Sequence, residues 1–328
     1  MSIQTKQWHK EALHLRSHGY SSRVIASTLN KGKSTINDFF TKYDNLVVGS
    51  ASDLTEFPLN PLHAVIKQKD TQREGPRILV YDIETAPMLA HVWKMWDNNV
   101  GLNQIVDDWY ILSFAAKWLG EDEIFYYDQR DAADISDDTY LLAQLWKLLN
   151  EADIVIGQNV KKFDTKKVNA RFIMNGFPKP AAYRQIDTML IARDQLGMTS
   201  NKLEYLAKAL CPEHVKSKHS KFPGHEMWVE CMKGNREAWE EMEAYNRDDI
   251  LATEGVYNVL SSWDSKLPNF DVYVDGVLDM SEWVFEGKYA YSNLGKYKLY
   301  RNIKTGQQRR SRFNELTKEK RQQLLANV

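Results

Sequence analysis

From Arg77 onward the chain alternates short apolar runs with longer stretches of helical spacing, and this alternation limits the fold more than any other feature. "RILVYDIE" and "DIVIGQN" are apolar and rich in β-branched residues, the pattern of strands covered on both faces. "YILSFAAKWLG" and "EIFYYDQ" read as a hairpin turning at Gly120-Glu121-Asp122, and "RQID" as a last short strand. Between them, "DDTYLLAQLWKLLNEA" places Leu141, Leu142, Leu145, Trp146, Leu148 and Leu149 on a broad apolar helix face. "DTKKVNARFIMNG" reads as a helix ending at Gly176, and further helices are expected over 188–195, 203–210 and 236–260. Three strands, a helix, a strand, a helix and a strand predict an α/β domain over 77–264, a mixed sheet with helices on both faces.

Polar residues interrupt this scaffold at three places. In "YDIET", Asp82 and Glu84 stand two apart, so on a strand they leave the same face. Paired carboxylates against a buried sheet are costly unless a cation joins them, and hard oxygen ligands select Mg²⁺ or Mn²⁺. Asp164 opens the helix that follows "DIVIGQNVKKF", where capping the helix is its ordinary role. Tyr245 and Asp249 are four apart on a long helix and share a face, as many pairs on amphipathic helices do. Each piece alone has an everyday structural explanation. Their order does not: D-x-E on a first strand, N-x-x-x-F-D before a helix, Y-x-x-x-D on a late helix.

Charge is distributed in the same spirit. Residues 1–48 carry a balance of +4 and residues 286–328 one of +8, which leaves −13 for the middle of a chain whose net charge is −1. Basic ends around an acidic centre suit a protein that grips a polyanion at its edges and holds cations in its middle. Cys211 and Cys231 are the only cysteines and form no close pair, so no disulfide framework is expected and a reducing, cytoplasmic setting is the default. His9, Lys10, Glu11 and Arg16 interrupt any signal-like apolar core, and no stretch has the apolar length to span a bilayer.

In their order, the three acidic pieces resemble the exonuclease motifs of the DEDD superfamily, in its tyrosine-bearing branch. Proofreading domains of B-family DNA polymerases and ribonuclease D belong to it. The element order is likewise that of the ribonuclease H-like fold. The likeness covers about Arg77 to Trp263, and the segment from "ETAPMLAHVWKMW" to "KWLGEDE" further resembles predicted phage and prophage exonucleases. The histidine branch would need His five residues before Asp249, where Ala244 stands. The resemblance implies hydrolysis of DNA from single-stranded 3′ ends to nucleoside monophosphates by two Mg²⁺ or Mn²⁺ ions. Asp82 would bridge both ions, Glu84 and Asp249 would complete the nucleophile-side ion, and Asp164 would act through coordinated water. Tyr245 would orient the attacking water. Thr85, Asn159 and Phe163 would touch the terminal nucleotide. Trp93, Trp96, Trp109 and Tyr183 are further stacking candidates, with core or lid packing the simpler expectation. Lys161, Lys162, Lys166 and Lys167 flank the second motif and could meet phosphates. A ribonuclease D-like RNA exonuclease is the alternative within this chemistry. The alternative outside it is a DNA-binding regulator on an inactive nuclease scaffold, against which the retention of all four acids argues.

Smaller modules are expected at both ends. Residues 1–48 read as three short helices, about 6–17, 22–29 and 34–43, sharing a core of Ala12, Leu13, Leu15, Val24, Ile25, Leu29, Ile36 and Phe40. The segment "EALHLRSHGYSSRVIASTLNKGKSTINDFF" resembles the helix-turn-helix modules of resolvases and transposases, with Lys33 and Ser34 at the start of the helix that would meet DNA. Residues 49–76 read as a linker punctuated by Gly49, Pro58 and Pro61. Residues 265–328 resemble a zinc ribbon without its cysteines: "VYVDG" and "NIKTG" stand where knuckles would be. No zinc is expected there. The expected strands are "FDVYVDGV", "WVFEGKYAYS" and "YKLYRNIKTG", followed by a terminal helix in "TKEKRQQLLANV". Lys296, Lys298, Arg301, Lys304, Arg309, Arg310 and Arg312, interleaved with Tyr297 and Tyr300, make a candidate nucleic-acid grip.

Overall fold

The computed structural model describes residues 22–49, 75–214 and 221–325, together with positions 8, 9, 12, 15 and 16; of 42–49 it describes the backbone alone. The chain divides into two compact units, residues 1–71 with 170–181 and residues 72–169 with 182–328.

In the first unit, helices α1 (Ser22–Thr28) and α2 (Lys33–Gly49) flank a turn in which Asn30 has φ 50°. Ile25, Ala26, Ile36, Phe39 and Phe40 bury together with Ala12, and Trp8, Leu15 and Leu29 pack against them. Two expectations are corrected. Val24 is exposed, because it lies about a quarter-turn off the stripe that Ile25 and Leu29 define, while Phe39 joins the core three residues after Ile36. α2 also runs past Tyr43 to Gly49. Leu13 and most of the expected first helix lie outside the described residues.

The second unit is built on a five-stranded sheet in the order β5-β4-β1-β6-β7, with β1 Ile78–Thr85, β4 Ile111–Trp118, β5 Ile124–Asp128, β6 Ile154–Gly157 and β7 Arg184–Asp187. β1, β4 and β5 are antiparallel, while β6 and β7 run parallel to β1. This is the mixed α/β, ribonuclease H-like arrangement that the alternation of elements predicts. β4 is buried along its whole length, as an apolar central strand must be. Helices α3 (Thr139–Glu151), α4 (Asp164–Met174, of which residues 170–174 are assigned to the first unit), α5 (Thr188–Gln195), α6 (Leu203–Leu210), α7 (Glu226–Met232) and α8 (Arg236–Leu260) complete the arrangement. The buried Asp138, at the N-cap position of α3, accepts a 3.0 Å hydrogen bond from Ile111 N and ties that helix to the sheet.

Two local features shape the acidic end of the sheet. The first is a gap between strands. β4 pairs with β1 as far as Thr85, but β6 pairs only with Ile78–Val80. The sheet is therefore open beside the far half of β1. At Gly157, where β6 ends, a Cβ would stand 2.7 Å from Val160 Cβ and 3.1 Å from the Tyr81 carbonyl, so only glycine lets the chain turn in beside β1. The second feature is the anchoring of α8. A buried ion pair joins Lys117 on β4 to Glu254 on α8, and Glu254 also accepts from Gly120 N at 3.2 Å. Removing one partner of such a pair strands a buried charge, at a cost of about 3–5 kcal/mol.

The helix α7, the small hairpin of β2 (Leu89–Ala90) and β3 (Ile105–Asp107), and the third strand of the C-terminal sheet are additions to the expected elements. That sheet has the order β10-β9-β8, with β8 Trp283–Ser292, β9 Gly295–Asn302 and β10 Gln308–Arg310. "FDVYVDGV" is not a strand: Asn269 Oδ1 accepts from Asp271 N at 3.2 Å and closes a short 3-10 turn over Phe270–Tyr273. α9 (Lys318–Gln323) is capped by Thr317 and shorter than expected. Cys211 and Cys231 are buried free thiols. No described helix is long and apolar enough to cross a membrane.

Candidate active site

β1 delivers the first two acids. Its residues alternate, and Asp82 and Glu84 leave the face over which α8 lies while Ile83 is buried. Asp249 comes from α8, which the Lys117–Glu254 pair holds against the sheet. The three carboxylates bring ligand oxygens within 4.8 Å of one another. Two neutral donors fix their orientation. Asn246, one turn before Asp249 and fully buried, donates from Nδ2 to Asp82 Oδ2 at 2.9 Å and accepts from Ser113 Oγ at 3.3 Å. Trp228 on α7 donates from Nε1 to Glu84 Oε2 at 2.9 Å. Three hard oxygen donors without cysteine or histidine fit Mg²⁺ or Mn²⁺, and a cation offsets the repulsion among them.

Asp164 is not a member of that cluster. It occupies the gap left where β6 parts from β1, and Oδ1 accepts a 3.2 Å hydrogen bond from Ile83 N, the amide between the two strand acids. Burial pushes its pKa up to about 7; hydrogen bonds from the Ile83 amide and its own amide lower it, and the Asp187 carboxylate raises it. Asp187 ends β7 and gathers three amides: Asn159 at 3.1 Å, Lys161 at 3.2 Å and Leu190 at 3.2 Å. It thereby caps α5 and clamps the loop that leads to Asp164. Asn159 has φ 62°, a left-handed conformation that asparagine tolerates, and its Oδ1 is buried without a hydrogen-bond partner in the structure.

Tyr245 sits one turn from Asp249, with its ring edge-on to Trp228 at 6.0 Å between centroids. Burial, and then the carboxylates of Asp249, Glu84 and Asp82, drive its pKa far above the usual phenol value, so the hydroxyl stays a hydrogen-bond donor. An open cleft of about 450 Å³ adjoins the acids; Glu84, Thr85, Trp109, Phe163, Lys167 and Trp228 are among its walls. Lys167 Nζ lies 3.9 Å from the Trp109 ring centroid and 5.3 Å from that of Phe163. Thr85 and Phe163 are thus together at the cleft. Asn159 is not among the residues that wall it. Trp93 and Trp96 are 97% and 77% exposed, so neither packs in a core. Tyr183 lies beside Thr165, which in turn hydrogen-bonds the buried Tyr81, and belongs to the supporting layer.

The outlying candidates fall elsewhere. Lys33 and Ser34 are exposed in the first turn of α2. On the C-terminal sheet, Arg301 is paired with Glu286, Arg309 with Asp271 and Lys304 with Glu282. Arg310 lies over the Tyr297 ring at 4.1 Å, Lys298 over Phe285 at 5.9 Å, and Arg312 is exposed. Sequence reasoning missed Trp228, Asn246 and Asp187. Asn246 stands beside the tyrosine motif and Asp187 closes an anticipated strand, so both were visible by position. Trp228 had no such signal, because the short helix that carries it has no clear apolar period.

Residues 100–261 match the family model RNase_H_2, of the RNase_H superfamily. That span contains Asp164, Tyr245 and Asp249 and begins after Asp82 and Glu84. No curated protein sequence matches the chain. Among solved structures, the family B DNA polymerase from the hyperthermophilic archaeon Pyrobaculum calidifontis is similar at 14% identity with a TM-score of 0.38, over 57% of this chain and 26% of that one. The chain thus matches about a quarter of the polymerase's length.

Proposed function

We propose that the chain is a divalent-metal-dependent 3′→5′ exonuclease that removes nucleoside monophosphates from single-stranded 3′ ends of DNA. One observation carries this reading: Asp82, Glu84 and Asp249, from a strand and a helix far apart in sequence, converge within ligand distance beside an open cleft, with Tyr245 one helical turn from Asp249. A pair of Mg²⁺ or Mn²⁺ ions bound there supplies a water of lowered pKa and stabilises charge on the scissile phosphate. Asp82, Glu84 and Asp249 would hold these ions, and Asp164 would add its carboxylate to the site from the strand gap. Asn246 and Trp228 keep the Asp82 and Glu84 carboxylates in one orientation, so that little reorganisation is needed when substrate arrives. The Tyr245 hydroxyl keeps its proton and donates it in a hydrogen bond that orients the attacking water. Phe163 and Trp109 offer ring faces to the terminal base, Thr85 a hydroxyl and Lys167 a positive charge to its phosphate. Asn159, whose buried oxygen has no hydrogen-bond partner, stands outside the cleft walls and carries no part of this reading. The N-terminal helices, with Lys33 and Ser34 at the exposed start of α2, serve as a DNA-binding module.

The test is hydrolysis of end-labelled single-stranded DNA and RNA with Mg²⁺ or Mn²⁺, compared with Asp82→Ala. A ladder shortening DNA from its 3′ end, absent in the variant, is the expected result. Ladders on RNA alone would move the substrate to RNA, and no hydrolysis of either polymer would overturn the proposal.

A further inference from the structure

The register of the C-terminal sheet sorts its side chains onto two faces. β8 and β9 pair Phe285 with Tyr300, Tyr289 with Lys298, and Tyr291 with Lys296. Directly paired residues share a face. One face therefore collects Phe285, Tyr289, Tyr291, Tyr300 and two lysines, with Trp283 and the carboxylate-paired Arg309 at its end, while Val284, Ala290, Tyr297 and Leu299 point the other way. The irregularity between Phe285 and Tyr289 preserves this sorting, because β8 takes four steps there against two on β9, with Gly287 at φ 73°.

Phe285, Tyr289, Tyr300 and the two lysines lie close together on this face. Phe285 lies 5.6 Å from Tyr289 and 6.0 Å from Tyr300 between centroids. Lys296 Nζ stands 3.9 Å over the Tyr289 ring and Lys298 Nζ 5.9 Å from that of Phe285. Solvent reaches the rings, since Tyr291 is 74% and Phe285 38% exposed. The nearby acids are engaged by other cations: Glu286 by Arg301, Glu282 by Lys304 and Asp271 by Arg309. Among the described residues, no ion pair engages Lys296 or Lys298. The face thus combines exposed ring faces with uncompensated positive charge.

We propose that this face is a platform for single-stranded nucleic acid, with bases stacked on Tyr291 and Phe285 and backbone phosphates at Lys296 and Lys298. Ring faces are open to unpaired bases and closed to paired ones, whereas lysines serve both. The polymer class rests on the nuclease reading; the arrangement of rings and ammonium groups does not. A duplex gripped by the arginines is disfavoured, because Arg301 and Arg309 are already committed to carboxylates.

Binding can be separated from hydrolysis by using the full chain carrying Asp82→Ala in EDTA and following fluorescence anisotropy of a labelled oligothymidylate and of a blunt duplex. In that background, adding Tyr291→Ala or Phe285→Ala should weaken single-strand binding about 5- to 20-fold each, and leave duplex binding within about two-fold. Tyr291→Phe, which keeps the ring, should bind like the parent. Near-UV circular dichroism on each variant separates loss of the platform from loss of the fold. Parental affinity in a folded Tyr291→Ala protein, an equal loss on duplex, or a Tyr291→Phe protein as weak as Tyr291→Ala would each overturn the proposal. So would failure of the parent to bind the oligonucleotide, a result that leaves the hydrolysis assay to stand or fall by itself.

Discussion

The central sheet and the C-terminal sheet handle charge in opposite ways. In the central sheet the strands are largely apolar, helices cover the faces, and a cluster of like-charged acids forms at one place, where β1 loses its β6 neighbour and α8 crosses. There the charges are of one sign and held by neutral donors, Asn246 and Trp228. In the C-terminal sheet cations outnumber acids on half-exposed strands; Arg301 and Arg309 are paired singly with Glu286 and Asp271, while no ion pair among the described residues engages Lys296 or Lys298. Like charges kept together in a partly buried site cost stability and call for a ligand. Opposite charges on an exposed sheet contribute little either way. Clustering under enforced burial therefore points to chemistry, and a count of basic residues does not.

That contrast can be broken by measurement, beginning where the largest effect is expected. Asp249→Asn removes one ligand charge and should lower hydrolysis by at least about a thousandfold with the fold intact, since metal stabilisation of the transition state is worth several kcal/mol. A variant retaining a tenth of the activity would mean that the three-carboxylate cluster is not the reacting centre. Tyr245→Phe should cost about a hundredfold in kcat, the size of a lost orienting hydrogen bond in the transition state. Because burial and three carboxylates raise the Tyr245 pKa in metal-free protein, the difference in tyrosinate absorbance between wild type and Tyr245→Phe in chelator should stay flat between about pH 8 and 10, the range in which an ordinary phenol begins to titrate. A difference that grows over that range would contradict the raised value.

Asp164 gives a smaller effect, read as stability. Its native pKa of about 7 exceeds the unfolded value near 3.9, so between those values the native state binds one more proton than the unfolded chain. Stability of metal-free protein should fall as pH rises from about 4 to 7, and the full cost should remain above pH 7. Asp164→Asn keeps an acceptor for Ile83 N without the charge. It should be more stable than wild type by about 1–3 kcal/mol at pH 8 in chelator, and nearly equal to it at pH 4. A destabilised variant at pH 8 would refute the raised pKa. The smallest change should come from the other sheet, where Arg301→Gln breaks a half-exposed ion pair and should alter stability by less than about 1 kcal/mol in a denaturant titration.

Much of this was legible in the chain itself. The runs around Asp82 and Asp164, and the helical spacing through Asp249, placed the central strands and helices within a residue or two. Covered strands and amphipathic helices impose strict apolar periods, and residues 78–85 and 236–260 keep them. Legibility failed where local order competes with period. "FDVYVDGV" looks extended, yet an asparagine turn at Asn269 captures it. α7 is short and irregular, so Trp228 and its hydrogen bond to Glu84 left no trace in the pattern. The basic C-terminal segment was visible as composition, but which cations remain uncommitted depends on cross-strand register.

The α/β alternation, the order of the acidic motifs and the shared face of Asp82 and Glu84 are written into the chain locally, since order is read directly and the rest follows from periods of two and 3.6 that each segment carries alone. Tertiary structure alone decided three things: that Asp249 reaches the strand acids, that Asp164 instead fills the gap beside Ile83, and that Asn246 and Trp228 hold the carboxylates. The physical reason is distance along the chain. Asp82 and Asn246 are 164 residues apart, and only the packing of α8 on the sheet, locked by Lys117 and Glu254, brings them to 2.9 Å.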